Sequence, residues 1–110
     1  MSGKRSVLLY ADKEKLEFFV HPIGSIYKKR PGLYAFAAQY AQTRYSILYV
    51  GQTTDLDDRV GTNVMHHEKY EAALRLGADV LLIRLFVGPD QARIAAEAAL
   101  RRIYDPPLNQ

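Results

Sequence analysis

Residues 32–40 read GLYAFAAQY and residues 44–51 read RYSILYVG. Both stretches are rich in aromatic and aliphatic residues, and a short polar stretch separates them. This pattern predicts a β-hairpin. A turn near residues 41–42 would set Tyr34 roughly opposite Tyr49, and cross-strand partners lie about 5 Å apart on one face of the sheet. We therefore expect the two phenols to meet on one patch.

The segments after this hairpin carry alternating helix and strand signals. The first helix has Thr54 or Asp55 as its expected N-cap, and Gly61 would weaken it by about 1 kcal/mol. The predicted elements are a helix in 52–60, a helix in 68–77 that ends at Gly77, a central strand in 79–87, and a helix from Gly88-Pro89-Asp90 to about Tyr104. The order predicts an α/β fold, with a small three-stranded antiparallel or mixed sheet flanked by helices.

The first thirty residues are expected to form an N-terminal extension to this core. SVLLY (6–10) and LEFFV (16–20) flank ADKEK, which suggests a hairpin that could add to the sheet. A loop follows, with the basic trio Lys28, Lys29 and Arg30 before a Pro-Gly pair. We expect a single domain over 1–110, made of the extension 1–30 and a core over 31–110.

Bulk composition narrows the class of protein. With 110 residues, 48% apolar and 25% charged, the chain has the composition of an ordinary globular domain. The sequence contains no run of about 18 apolar residues, so no membrane partner is expected. It also contains no cysteine, which excludes disulfides and thiolate metal sites and suits the cytoplasm. A net charge of +3 and a pI of about 9.2 favour a polyanionic partner.

Five positions in order resemble the signature of the GIY-YIG nucleases. Gly32-Leu33-Tyr34 and Tyr49-Val50-Gly51 resemble its two triplets, with conservative aliphatic replacements. Arg59 lies in the following helix, where the family has its essential arginine. Glu97 lies mid-helix, where the family has its metal-binding carboxylate, and Asn109 matches its closing asparagine. The resemblance runs from about Pro31 to Asn109.

The resemblance implies a metal-dependent endonuclease that hydrolyses phosphodiester bonds in DNA, in a protein of bacterial or phage origin. Tyr34 would orient or deprotonate the attacking water, and neighbouring cations would have to lower its pKa from about 10. Tyr49 would share that task or bind a phosphate oxygen. Arg59 would bind phosphate through its planar guanidinium, together with the trio at 28–30.

The implied cofactor is one Mg²⁺ or Mn²⁺ held by Glu97. Magnesium is commonly bound by one or two carboxylates and keeps several waters, and it stabilises a leaving oxygen as a Lewis acid. Asn109 would support the site through a hydrogen bond near Glu97. The full implied catalytic set is Tyr34, Tyr49, Arg59, Glu97 and Asn109.

The chain departs from the family pattern in two places: residues 1–30 align with nothing in the family core, and one position of the first helix differs. Several members carry a histidine or lysine one helical turn after the arginine, and this chain has Asn63 there. On an unbroken helix His66 would lie about 20° from Arg59 and His67 about 80° away, so His66 is the better substitute. A break at Gly61 would change both directions. A histidine at the site would make cleavage depend on pH between about 5 and 8.

Each of these residues also has a structural alternative. The two tyrosines could be core aromatics, and the trio at 28–30 a solvated loop. Arg59 could pair with Asp55, and Glu97 with Arg93 and Arg101, as helix ion pairs of small stabilising value. The HHE run at 66–68 could be a solvated helix start.

Two other functional classes stay open on the sequence. The domain could bind nucleic acid without cutting it, acting with a partner, or it could be an interaction module with incidental charge. No helix-turn-helix, zinc finger or long basic arm is evident in the sequence. Cleavage directed by DNA structure, by a weak sequence preference, or through a homodimer or protein partner is therefore expected.

Overall fold

The computed structural model describes residues 5–110. Within these residues the chain forms five strands and three α-helices. Their bounds are β1 Ser6–Ala11, β2 Glu14–Pro22, β3 Gly32–Ala41, β4 Arg44–Thr53, α1 Leu56–Val60, α2 Tyr70–Arg75, β5 Val80–Leu85 and α3 Asp90–Tyr104. Short 3₁₀ turns cover Val64–His66 and Pro107–Asn109. Within the described part of the chain, no helix is long and apolar enough to span a membrane.

The sheet has five strands in the order β1-β2-β5-β3-β4, and every neighbouring pair is antiparallel. The predicted three-stranded sheet is therefore wrong. Those three strands are present as β5-β3-β4, but the N-terminal hairpin extends them by pairing β2 with β5 in the register Phe19↔Ile83. The physical reason lies in β5, because Val80–Ile83 is buried. Backbone groups at its second edge must be paired, and β2 pairs them.

Both faces of the sheet are covered, and alternate residues of β3 divide between two cores. Leu33, Ala35 and Ala37 pack on the face covered by α3. Tyr34 and Phe36 point to the opposite face, together with residues from α1 and α2. We call this second side the α1 face. The period-two alternation of a strand thus fixes the direction of the Tyr34 side chain.

The β3–β4 hairpin has a different register from the predicted one. Tyr34 lies opposite Gly51, and Phe36 lies opposite Tyr49. The turn follows Ala41, which pairs with Arg44, so it lies one residue later than expected. This shifts the pairing by two residues and leaves Tyr34 on the same face as Tyr49. The two rings are therefore diagonal neighbours, with centroids 6.2 Å apart.

Gly51 allows the Tyr34 ring to lie directly on β4. A Cβ atom at Gly51 would be 2.3 Å from the Tyr34 Oη and Cζ atoms, closer than any real contact of this kind. The glycine of the second triplet is therefore required by packing against the tyrosine of the first. The two triplets are parts of one contact.

We predict that the N-terminal hairpin contributes to global stability. Phe18 on β2 is 0% exposed, so Phe18→Ala should lower the free energy of unfolding by about 3–5 kcal/mol. Leu8 on β1 of the same hairpin is 52% exposed, and Leu8→Ala should change it by less than about 1 kcal/mol. Urea denaturation measures both values. Equal, small losses would show that the hairpin is an appendage.

Candidate active site

The segment that carries Arg59 and His67 is organised by the buried carboxylate of Asp57. Asp57 is 4% exposed, yet it has four donors. Oδ1 accepts from the backbone N–H of Tyr27 at 3.1 Å and of Thr62 at 3.2 Å. Oδ2 accepts from Thr62 Oγ1 at 2.8 Å and from Lys29 Nζ at 3.4 Å. These contacts, led by the Tyr27 N–H, lower the pKa of Asp57, so the carboxylate stays ionised.

This carboxylate also accounts for the helix break. α1 ends at Val60, and a Cβ atom on Gly61 would be 2.4 Å from Asp57 Oδ1. Asp55 caps the other end of the helix, where its side chain accepts from the Asp58 N–H at 3.0 Å. Asp55 and Gly61 therefore limit the helix to five residues, and the chain changes direction after Gly61.

The new direction brings His67, rather than His66, to the tyrosine. His67 is 4% exposed, and its Nε2 lies 2.8 Å from Tyr34 Oη. His66 is exposed. The helical angle that favours His66 assumes a continuous helix, and α1 ends before it. His66 and Asn63 still line the cleft beside Arg59, and Asn63 Nδ2 donates to Asp58 Oδ1 at 2.8 Å. Which of these side chains acts at the site stays a prediction.

The hydrogen-bond partners of His67 determine its tautomer. The backbone N–H of Lys69 donates to Nδ1 at 3.0 Å. Because Nδ1 accepts, a neutral ring carries its proton on Nε2, and Nε2–H therefore donates to Tyr34 Oη. The phenol oxygen receives a hydrogen bond from inside the protein, and its own proton remains available to another partner.

Burial controls the protonation of both partners. It lowers the pKa of His67 to about 4, with a further decrease from Arg59, so the ring is neutral at pH 7. His67 would not produce the expected pH dependence between 5 and 8. Burial also raises the pKa of Tyr34 and outweighs the opposite effect of Arg59. The expectation that neighbouring cations give Tyr34 a lowered pKa is therefore wrong for this structure.

Arg59 lies beside Tyr34 and pairs with Glu68. Its Nη2 donates to both carboxylate oxygens, at 2.6 Å to Oε1 and at shorter range to Oε2. This pairing lowers the pKa of Glu68. The helix pair with Asp55 is not formed among the ion pairs of residues 5–110. Arg59 also lines a cleft of about 330 Å³ with Asp58, Asn63, His66 and His67.

Glu97 approaches from the other side of the sheet, at the edge strand β4. Its side chain is 19% exposed. Burial raises its pKa, against the effects of Arg101 and of the backbone N–H of Gln52, which donates to it. Arg101 Nη1 lies 4.0 Å from Glu97 Oε1, whereas Arg93 is buried and bonds to Asp90 and Gln52. Only one half of the suggested ion-pair ladder is formed.

Tyr49 lies between the two groups of charges. Burial raises the pKa of its phenol, and the carboxylates around it raise the pKa while the guanidiniums lower it. These neighbours are Glu68 and Arg59 on the α1 face, and Glu97 and Arg101 from α3. Tyr49 therefore connects the tyrosine–histidine pair to the carboxylate of α3.

Asn109 supports the site through β4 rather than through Glu97. Val50 N–H donates to Asn109 Oδ1 at 2.8 Å, and Asn109 Nδ2 donates to the Val50 carbonyl at 2.9 Å. The side-chain amide thus takes the place of a neighbouring strand at the edge of the sheet. Val50 stands between Tyr49 and Gly51, so this contact fixes the strand where the site is formed.

No protein-family model, curated protein or solved structure matches the chain.

The geometry is compatible with a metal held mainly by substrate and water. Residues 5–110 contain no cluster of three or more metal-ligating side chains, so the protein offers no closed cage. Glu97 offers a half-buried carboxylate with a single cation near it. One such carboxylate fits Mg²⁺, which commonly takes one or two protein ligands together with phosphate and water.

Two residues of the site give little signal in the sequence. Glu68 belongs to the run at 66–68, and its spacing of nine residues from Arg59 predicts no contact, because the end of α1 at Val60 determines where Glu68 lies. Asp57 gave no signal beyond an acidic first turn. The basic trio at 28–30 is exposed, and Lys29 contacts Asp57, which ties the loop to α1.

We predict a pH-dependent contribution of His67 to stability. Between pH 4 and 6.5 the unfolded chain binds a proton at this residue that the folded chain excludes. Stability is therefore lost as pH falls through this window, with a slope of up to about 1.4 kcal/mol per pH unit. His67→Gln should remove that part of the slope, measured by urea denaturation at several pH values. His66→Gln is the control, and an equal change in both variants would contradict a buried neutral His67.

Proposed function

We propose that the chain is a GIY-YIG-type endonuclease that hydrolyses phosphodiester bonds in DNA with the help of Mg²⁺ or Mn²⁺. The observation that carries the proposal is that Tyr34 and Tyr49 lie side by side, with ring centroids 6.2 Å apart, that Arg59 influences both phenols, and that Glu97 lies beside Gln52 of β4. These residues come from separate elements, and a structural role for each one alone does not require them to meet.

Tyr34 is the water-orienting residue in this proposal. Its oxygen accepts a hydrogen bond from His67 Nε2 at 2.8 Å, and the phenol proton is not used in that contact. Because burial raises the pKa of the phenol, Tyr34 keeps its proton at neutral pH and would orient the attacking water as a hydrogen-bond donor. The His67 N–H and the Arg59 guanidinium each stabilise negative charge on the oxygen, but this effect is smaller than that of burial. His67 is then a positioning residue.

Arg59 is the phosphate-binding residue, since guanidinium groups bind phosphate in a planar, bidentate manner. In the structure its partner is Glu68, with the Glu68 side chain 54% exposed. A substrate phosphate would compete with this carboxylate for the same N–H groups. The exposed trio at 28–30 would add contacts to neighbouring phosphates, and such contacts make binding fall with salt.

Glu97 is the residue that would hold the divalent ion. When bound, the ion supplies Lewis-acid stabilisation of the leaving oxygen. Glu97 itself contributes a carboxylate beside the Gln52 N–H of β4, with Arg101 Nη1 4.0 Å from its Oε1. Burial raises its pKa, so the charged form gains from a nearby cation. The proposal includes a cytoplasmic location, which suits the absence of cysteine from the sequence.

One observation favours a second candidate function, a nucleic-acid-binding module without cleavage. Tyr34 is only 1% exposed, burial raises its pKa, and Arg59 is already neutralised by Glu68. Incubation of supercoiled plasmid with the protein and Mg²⁺, with EDTA as control, separates the two functions. Metal-dependent nicking supports the nuclease, whereas salt-sensitive binding without nicking supports the module. Absence of both would leave an interaction module.

We predict that Glu97→Gln lowers the nicking rate by at least about 100-fold, because loss of a metal-binding carboxylate removes several kcal/mol of transition-state stabilisation. Binding of DNA should remain nearly unchanged, since the phosphate contacts are elsewhere. The matched control is Glu71→Gln at an exposed position of α2. A Glu97→Gln protein that nicks at the normal rate would place the metal elsewhere.

Tyr34→Phe should lower the nicking rate by about 10²–10⁴, the range found for side chains that position or transfer a proton in the transition state. It also leaves the buried His67 N–H without an acceptor, which should cost about 1–3 kcal/mol of stability. Rates are therefore compared at a temperature where denaturation shows both proteins folded. Tyr40→Phe is the control, because Tyr40 lies on the same strand and is 64% exposed. A normal rate with reduced stability would identify Tyr34 as a core residue.

A further inference from the structure

A second cleft lies on the α1 face, on the side of the N-terminal hairpin. Its volume is about 340 Å³, near the lower end of the range for small-molecule sites. It forms where the loop after β2 crosses the sheet and meets α1. The residues that matter for its chemistry are Phe19, His21, Tyr27, Lys28, Leu56 and Arg84.

The walls of this cleft include three aromatic rings, together with aliphatic side chains and the acidic residue Glu17. Phe19 and His21 project from β2, and Tyr27 comes from the loop. The Tyr27 ring meets the His21 ring edge to face, with centroids 5.2 Å apart and an interplanar angle of 82°. Rings of this kind are the usual platforms for bases of single-stranded nucleic acid, because every base has a π face.

One buried donor among the lining residues lacks a partner. Arg84 Nε is buried and without a hydrogen bond in residues 5–110, although Arg84 Nη1 donates to the Glu17 carbonyl at 3.2 Å. The buried Tyr27 hydroxyl has the Ser25 hydroxyl beside it. Because Ser25 donates its own proton to the Pro22 carbonyl at 2.8 Å, its oxygen can accept from Tyr27. Buried polar groups are nearly always satisfied, so Arg84 Nε points to a polar ligand.

The cleft is connected to the candidate active site through α1. Leu56 lines the cleft, and Arg59 follows one turn later, about 4.5 Å along the helix axis. Tyr27 and α1 are also joined through Asp57. At the rim, Lys28 begins the exposed basic trio, which would hold the phosphates of a strand that passes between the two places.

We propose that this cleft binds one unpaired base of the nucleic-acid substrate, which makes the chain selective for DNA with single-stranded nucleotides next to the cut. The inference rests on the proposed function for its reference to cleavage, but base binding itself does not. A paired base cannot enter a pocket of this size without leaving the helix stack. The aromatic rings, the buried Arg84 donor and the basic rim match the ring, the polar edge and the phosphate of a nucleotide, respectively.

The test uses a fluorescein-labelled oligodeoxynucleotide of roughly twelve nucleotides, single-stranded or annealed to its complement. Fluorescence anisotropy measures binding by the full chain without metal. Phe19→Leu keeps apolar volume and removes the ring, and Tyr27→Leu does the same on the opposite wall. Each should weaken single-strand binding by about 5- to 150-fold, the usual effect of removing one stacking side chain. Duplex binding should change less than about twofold.

Tyr40→Leu controls for loss of an exposed aromatic residue, and thermal melts establish that each variant is folded. If one variant does not fold, the other carries the test, because the two rings belong to different elements. Unchanged single-strand binding in a folded cleft variant overturns the proposal, even where plasmid nicking is normal. Reduced binding by the variants of a protein that never nicks supports the cleft and rejects the nuclease.

Discussion

The buried carboxylate of Asp57 is the interaction on which the geometry of the candidate site depends. It holds the backbone of the loop at Tyr27 and the backbone and hydroxyl of Thr62 around the end of α1. A buried ionised group is stable only when its hydrogen bonds are satisfied. Removing any one of these partners should therefore lower the stability of the fold. Through them, Asp57 determines where α1 ends, one residue after Arg59, and where His67 enters the core.

The parts of the structure that the sequence predicts well depend on local patterns. The β3–β4 hairpin follows from alternating apolar residues and a polar turn, and α3 begins at Asp90 after Pro89 as expected. Tyr34 and Tyr49 share a face because strand periodicity is insensitive to a register error of two residues. The nearby placement of these phenols was predictable for the same reason, although their roles in chemistry stay predictions.

The parts that could not be predicted depend on contacts between distant segments. The pairing of β2 with β5 joins residues more than fifty positions apart in the sequence. Its physical reason is that the backbone groups of the buried strand β5 need hydrogen-bond partners. The segment from Asp57 to Glu68 has no regular period, because a helix break and a 3₁₀ turn follow each other. A helical period continued across Gly61 therefore favours His66 wrongly as the residue nearest Tyr34. The spacing of nine residues between Arg59 and Glu68 does not predict that they pair.

The charged side chains around Tyr49 are paired with one another, which makes it possible to keep them next to buried phenols. Arg59 is paired with Glu68, and Glu97 lies near Arg101, so neither charge at the buried phenols is left without a counterion. On the proposed function, substrate would exchange both partners. A phosphate would replace Glu68 at Arg59, and a divalent ion would replace Arg101 at Glu97. Because the phosphate and the ion also attract each other, either exchange would favour the other. The site would then bind DNA and metal more strongly together than separately, which is a property of the pairing and not of any one residue.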